Sequence, residues 1–156
     1  MQVSTKGRYA VMAMADLAVA GEGAVVSLAE ISGRQQISLA YLEQLFAKLR
    51  RAGLVESVRG PGGGYRLASD AGSITLNAVM AAVDEPVKMT RCSPEMKGGC
   101  VAENRCLTHD LWRSLGDHIV SFLSAVTLAD VAGNAAAREA VRAASAGEPN
   151  GGELRR

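Results

Sequence analysis

Along the first half of the chain, apolar residues recur at the spacings of amphipathic helices. Behind Ser4 and Thr5, both able to cap a helix, residues 8–20 are rich in Ala and Met, and Tyr9, Ala13 and Leu17 repeat at i, i+4. This predicts a first helix that the glycines at 21 and 23 end. Ser27-Leu28-Ala29-Glu30 has the form of a capping box, in which the Ser side chain accepts from the backbone three residues on and the Glu reaches back. A short second helix should then run to Gln35. A new start signal stands at Ser38, after which Leu42, Leu45, Phe46 and Leu49 fall at i, i+3, i+4, i+7 on one stripe, with Gly53 where the helix should stop. Two helices so closely spaced make a helix-turn-helix.

The period then changes. Residues 54–59 are a short β-favourable run, residues 60–64 read Gly-Pro-Gly-Gly-Gly, and Tyr65-Arg66-Leu67 follows, so that strand, glycine turn and strand form a hairpin. A helix-turn-helix followed at once by such a hairpin, with Arg59 near its tip, is a winged helix. Residues 76–84 read as a further helix. Residues 86–107 have no apolar period but carry Pro, Gly and Cys, and a loop of that length in a small domain is usually functional. The longest periodic segment is 108–126, where Leu111, Trp112, Leu115, Ile119, Phe122, Leu123 and Val126 share one stripe. From Gly133 the chain turns Ala-rich and then Gly/Glu/Pro/Asn-rich, the composition of a disordered tail.

Composition changes this picture little. In 156 residues, 48% hydrophobic and 21% charged, there is room for one core and no sign of wholesale disorder. No stretch has the unbroken apolar length of a membrane span, and the N-terminus lacks a long apolar region with a cleavage site; the chain reads as cytoplasmic, with no membrane partner. The formal net charge of +1 hides an asymmetry: residues 1–68 hold 8 Lys/Arg against 5 Asp/Glu, and residues 69–156 hold 9 against 11. Nucleic acid belongs on the basic half. All 3 cysteines fall between residues 92 and 106, which suits a metal or redox site in a reducing compartment better than a disulfide scaffold.

Three places carry candidate chemistry. Away from the apolar stripe of the second helix-turn-helix element lie Ser38, Tyr41, Glu43, Gln44, Lys48 and Arg51. Gln can pair bidentately with adenine, Glu can accept from the cytosine amino group, and the basic residues suit phosphates; alternatively the face is only solvated. At the wing, Arg59 and Gly60 open a turn that lets backbone approach DNA and set a guanidinium in a narrow minor groove. A phosphate-binding Gly loop is the poorer reading, because no Lys-Ser/Thr follows and no helix begins there. Cys92, Cys100, Cys106 and His109 lie within 18 residues, the last two separated by one helical turn. Three thiolates and an imidazole can hold structural zinc or an iron–sulfur cluster, and the absence of tight C-x2-C pairs favours the cluster. Small reactive thiols with an incidental His109 are the bland alternative. No catalytic signature accompanies the Cys/His set, so no enzyme is expected.

Several motifs, in this order, resemble one family. They are Lys6-Gly7-Arg8-Tyr9-Ala10-Val11, Ile37-Ser38 with Tyr41-Leu42-Glu43-Gln44-Leu45-Phe46, Leu54-Val55 with Val58-Arg59-Gly60-Pro61-Gly62-Gly63-Gly64-Tyr65, and Arg105-Cys106-Leu107-Thr108-His109-Asp110-Leu111-Trp112. Across residues 1–130 the chain resembles the bacterial iron–sulfur cluster regulators of the IscR type, within the Rrf-type winged-helix transcription regulators. The resemblance implies a winged-helix homodimer joined by the long helix, and a [2Fe-2S] cluster on Cys92, Cys100, Cys106 and His109. It further implies that Glu43 and Gln44 read bases and that Arg59 enters the minor groove. The cluster-loaded form would repress the genes of iron–sulfur assembly, whose machinery donates the cluster. The cluster-free form would still bind a second class of promoter, with Glu43 barring it from the first. The spacing from Cys92 to Cys100 is longer than the family's familiar one, within a Pro/Gly segment that should leave ligation intact.

The expected protein is therefore mostly α, a winged helix-turn-helix with a small β-hairpin wing and a long C-terminal dimerisation helix. Residues 1–68 form the DNA-binding region, 69–89 a connecting helix, 90–109 the ligand loop, 110–131 the dimerisation helix with Leu111, Leu115, Ile119, Phe122 and Leu123 at its interface, and 132–156 the tail. Its expected partners are double-stranded promoter DNA and a second copy. The alternatives are the same dimer sensing thiols, nitric oxide or iron, and a zinc-stabilised interaction module without a DNA role.

Overall fold

Hydroxyl caps set where the helices begin. In a computed structural model, which describes residues 3–86, 101 and 104–134, the Ser4 hydroxyl accepts from the Gly7 amide at 3.0 Å and opens α1, Thr5–Ala20. Ser27 and Glu30 close the expected capping box, with the Ser27 amide donating to the Glu30 carboxylate at 2.8 Å, and open α2, Leu28–Gln35. That backbone hydrogen bond to the charged form holds the Glu30 carboxyl below the usual carboxylate range. Ser38 caps α3, Leu39–Arg51, by accepting from the Tyr41 amide. Gly53, at φ +76°, turns the chain out of α3 as its position in the sequence predicts.

The wing is an antiparallel pair, β1 (Val55–Val58) and β2 (Gly64–Leu67), with Val55 opposite Leu67 and Val58 opposite Gly64. At its tip the Gly63 amide donates to the Gly60 carbonyl at 2.9 Å across Pro61 and Gly62, and Gly62 at φ +71° supplies the positive φ that a type II turn demands after proline. Val26 adds a minimal third strand, exchanging both backbone hydrogen bonds with Tyr65 at 2.9 and 2.8 Å. Gly64 lies so close to the Val26 carbonyl that any Cβ would collide with it.

Ala10, Ala13, Met14 and Leu17 of α1 form the centre of one apolar cluster with Ile31, Leu42, Leu45, Phe46, Leu49, Val55, Val79, Val83 and Leu128. α1 also buries a carboxylate. Asp16 is 2% exposed and is held by Arg34 of α2 through two hydrogen bonds, at 2.6 and 3.1 Å, and by the Gln35 amide at 2.7 Å. Donation to the Asp16 carboxylate raises the Arg34 pKa above its ordinary value. This bidentate bridge fixes α2 against α1, and the i, i+4 reading of α1 passes over it because the partner lies on another helix.

Beyond the wing, Thr75 caps α4, Leu76–Ala82. The stripe expected to run through 126 ends one residue early, and the region expected as one helix over 110–131 divides in two. α5, His109–Ala125, stops short of Val126, whose extended backbone carbonyl accepts from Leu76 at 3.0 Å, while the Leu128 amide donates to Ile74 at 2.9 Å. A further helix, α6 (Leu128–Ala132), capped by a Thr127/Asp130 box, then packs on α1 with Leu128 fully buried. The long helix is therefore not the C-terminal element. Residue 132, expected to begin a tail, is the buried end of α6; the remainder of that tail from 135, with Cys92 and Cys100, lies outside the described residues.

Asp16 has no exposed side-chain area, whereas Arg34 keeps 13% of its own. Removing the cation therefore leaves a charge that water cannot reach. Arg34→Met should lower the unfolding free energy by about 3 kcal/mol or more, and Asp16→Asn by less, because the guanidinium can turn to solvent. Urea denaturation of both variants checks the order, and a larger loss for Asp16→Asn would contradict it.

Candidate functional site

The apolar stripe of α3 faces inward, and this decides what it shows to solvent. Ser38, Glu43 and Gln44 are exposed, as expected, and Leu39 joins them at 43% exposure. Tyr41 does not share that face fully: it is half-buried, with its ring edge-on to Tyr9 at 5.9 Å, so it braces α3 on α1. Lys48, expected to face phosphate, has its ammonium 2.7 Å from the Asp84 carboxylate. Arg51 is exposed. Arg50 reaches the Ser57 hydroxyl of β1 at 3.4 Å, and Phe46 packs edge-on against Tyr65 of β2 at 4.9 Å. These contacts make α3 and the wing one unit. Arg59 and Gly60 are exposed at the wing's turn, where Gly60 takes φ +98°.

Reading by local periodicity missed the acidic pair behind α3. Asp84 and Glu85 follow α4; Lys6 of α1 lies 3.0 Å from Glu85 and also donates to the Asp84 backbone carbonyl at 3.5 Å. The hydrogen bond from Lys48 holds the Asp84 carboxyl below its ordinary range, and that from Lys6 does the same for Glu85. No local signal could have found these pairs, since Lys48 and Asp84 are 36 residues apart.

At the start of α5 the chain brings two candidate ligands together. The His109 amide donates to the Cys106 carbonyl at 3.1 Å, so both stand on one turn, and Cys106 is half-buried. Thr108 occupies the cap position but makes no side-chain cap; its hydroxyl lies 3.6 Å from the Cys106 sulfur. Among the described residues no group of three or more His, Cys, Asp or Glu comes together. Further along α5 no residue is buried: Leu111 is 61% and Phe122 64% exposed, Trp112 is exposed, and Leu115, Ile119 and Leu123 are half-buried. His118, on the same helix, is exposed.

Residues 3–134 match the family model described as Rrf2, iron-dependent transcriptional regulator. The chain belongs to the Rrf2 family. Over 134 residues it is 56% identical to the HTH-type transcriptional regulator IscR of Citrobacter koseri, covering 86% of this chain and 81% of that protein. The IscR of Salmonella newport is likewise 56% identical, with 80% of its length covered. Among solved structures, T. potens IscR superposes with TM-score 0.71 at 38% identity, over 86% of this chain and 88% of that one. CymR, the global cysteine regulator of B. subtilis, does so with TM-score 0.72 at 32% identity, over 85% and 97%. This Rrf2 protein is a DNA-binding transcription regulator, a non-enzymatic role, on the expected winged helix-turn-helix. Among the described residues no helix is long and apolar enough to cross a membrane.

Arg59 has no ion-pair partner among the described residues and stands exposed beside a turn whose side chains are limited to Pro61. Arg59→Ala should weaken binding to every cognate promoter by about 1 to 3 kcal/mol, the loss of one groove contact. Gel-shift titration at fixed salt measures it, and unchanged affinity removes Arg59 from the interface.

Proposed function

We propose that this regulator acts as a homodimer whose choice of promoter depends on a [2Fe-2S] cluster, repressing iron–sulfur assembly genes with the cluster bound and acting at other promoters without it. The observation that carries the reading is the turn before α5, where a half-buried thiol and an imidazole sit one helical turn apart. The relatives named IscR at 56% identity support it. In this reading Cys106 and His109 are joined by Cys92 and Cys100. Their chemistry fits the group, because thiolates bind both irons and imidazole can replace a thiolate on one. When bound, the cluster supplies a redox-active iron centre, and the iron–sulfur assembly machinery is its donor.

The remaining roles belong to the chain's own side chains. α3 enters the major groove with Glu43 and Gln44 at base edges; Ser38, Lys48 and Arg51 meet the sugar-phosphate backbone; and Arg59 enters the minor groove with Gly60 beside it. Leu111, Leu115, Ile119, Phe122 and Leu123 of α5 meet the same seam of a second copy. Support comes from the exposure of large apolar side chains on a helix that buries none of its own residues. A two-fold dimer places its two α3 helices on two half-sites.

Protein purified without oxygen should show the visible absorption of a [2Fe-2S] centre and carry iron and sulfide in equal amounts. Stoichiometric zinc without sulfide would sink the cluster reading. Cys106→Ala should give a colourless, folded dimer that loses high-affinity binding at cluster-dependent promoters and keeps the others, because no core residue belongs to its turn. A structural zinc site predicts instead a large drop in melting temperature with all DNA binding lost together.

Phe122→Glu should dissociate the dimer, since it sets an unpartnered charge in the seam. Sedimentation that finds an intact dimer with normal operator affinity would take α5 out of the interface.

A further inference from the structure

We infer that Asp84 is a positioning residue for DNA binding: its carboxylate holds the Lys48 ammonium on the protein, so that a DNA phosphate must displace Asp84 to gain that contact. The inference rests on the reading of α3 as the DNA-facing helix and goes beyond it by assigning a residue outside that helix to the control of affinity.

The local backbone gives no reason for a carboxylate at position 84. α4 ends in a Schellman motif: the Glu85 amide donates to the Met80 carbonyl at 3.0 Å and the Asp84 amide to Ala81 at 3.1 Å, with Asp84 in the left-handed region at φ +58°. Gly or Asn suits that position best. A negative charge there also faces the negative end of the helix dipole. Asp84 thus stands where conformation and electrostatics both favour a neutral residue.

Its surroundings supply the reason. The Lys48 ammonium is 2.7 Å from its carboxylate, and Lys6 and Arg51 are the other cations that act on it. The pair is open to solvent, with Lys48 33% and Asp84 75% exposed, so it adds little to fold stability. The same openness lets an incoming phosphate reach Lys48. When Lys48 changes partner, the phosphate sheds a counterion while Asp84 acquires one, so the contact adds less affinity and less salt dependence than a lysine without an internal partner would.

Asp84→Asn keeps the size and the left-handed preference while removing the charge. With the full-length chain and a random-sequence duplex, which phosphate contacts bind without regard to sequence, the variant should bind about 3- to 10-fold tighter at low salt. Its plot of log affinity against log salt should steepen by up to about 1. Its melting temperature should hold or rise, which separates the effect from a damaged fold. In a Lys48→Gln background Asp84→Asn should change neither affinity nor slope. If it tightens binding equally there, Asp84 acts by general repulsion of DNA, and the inference is overturned. If wild type binds and Asp84→Asn matches it in affinity and slope, the inference falls while the reading of α3 stands. If wild type binds no duplex at all, both fall.

Discussion

Two backbone hydrogen bonds, Leu76 to Val126 and Leu128 to Ile74, decide what the rest of this chain can do. They bring the end of α5 back to the start of α4 and let α6 close over α1, where the burial of Leu128 contributes about 1.5 to 3 kcal/mol. α6, and not α5, covers that part of α1. α5 is left held at its end, in contact with α4, with no residue fully buried and with Leu111 and Phe122 well exposed. Much of its apolar seam, Leu111, Trp112 and Phe122 included, stays exposed within its own subunit. The dimeric reading rests on this closure more than on the periodicity of α5.

Ion pairing has a comparable effect on the basic half. Of the 8 Lys/Arg in residues 1–68, Lys6, Arg34, Lys48 and Arg66 are each paired with a carboxylate. Among the described residues that leaves Arg8, Arg50, Arg51 and Arg59 outside any ion pair. A net charge read from the sequence treats all 8 as available to phosphate, whereas the fold divides them into pairs that brace it and arginines on α1, at the end of α3 and at the wing. Arg34 serves only the fold, because its partner is buried. Lys48 is different, since its partner is solvent-exposed and can be exchanged.

Everything that depends on neighbours in sequence was legible beforehand. Ser4, Ser27 and Ser38 cap the helices they were expected to cap, the glycines at 53 and 62 turn where turns were expected, and the α3 stripe faces the core. These features are fixed by backbone donors within three residues or by one residue's φ, and the sequence displays both. Illegible were the features that need two distant segments. Tyr41 looked solvent-facing because the Tyr9 ring that covers it is on another helix, and Lys48 looked available because Asp84 lies after α4. Val126 continued the stripe of α5 by spacing alone, since its real partner, Leu76, is 50 residues away. At the ligand turn, residue types and spacing indicated what Cys106 and His109 could bind; the fold adds that they stand at the base of the exposed helix.

That base gives α4 its importance. The helix contacts α1, α3 and α5. At its first end, Thr75 pairs with Thr127 just beyond α5; past its last turn, Asp84 holds Lys48 of α3. Close-packed interiors move as rigid bodies and do not absorb a shift locally. In the function proposed above, a change in the tilt of α5 set at its start would reach α4 through their shared contact and the 75–127 bridge, and would arrive at α3 through packing. α4 is only 7 residues long, too short to bend between its two ends. On that reading, α4 is the described element through which a ligand held at the start of α5 would act on α3.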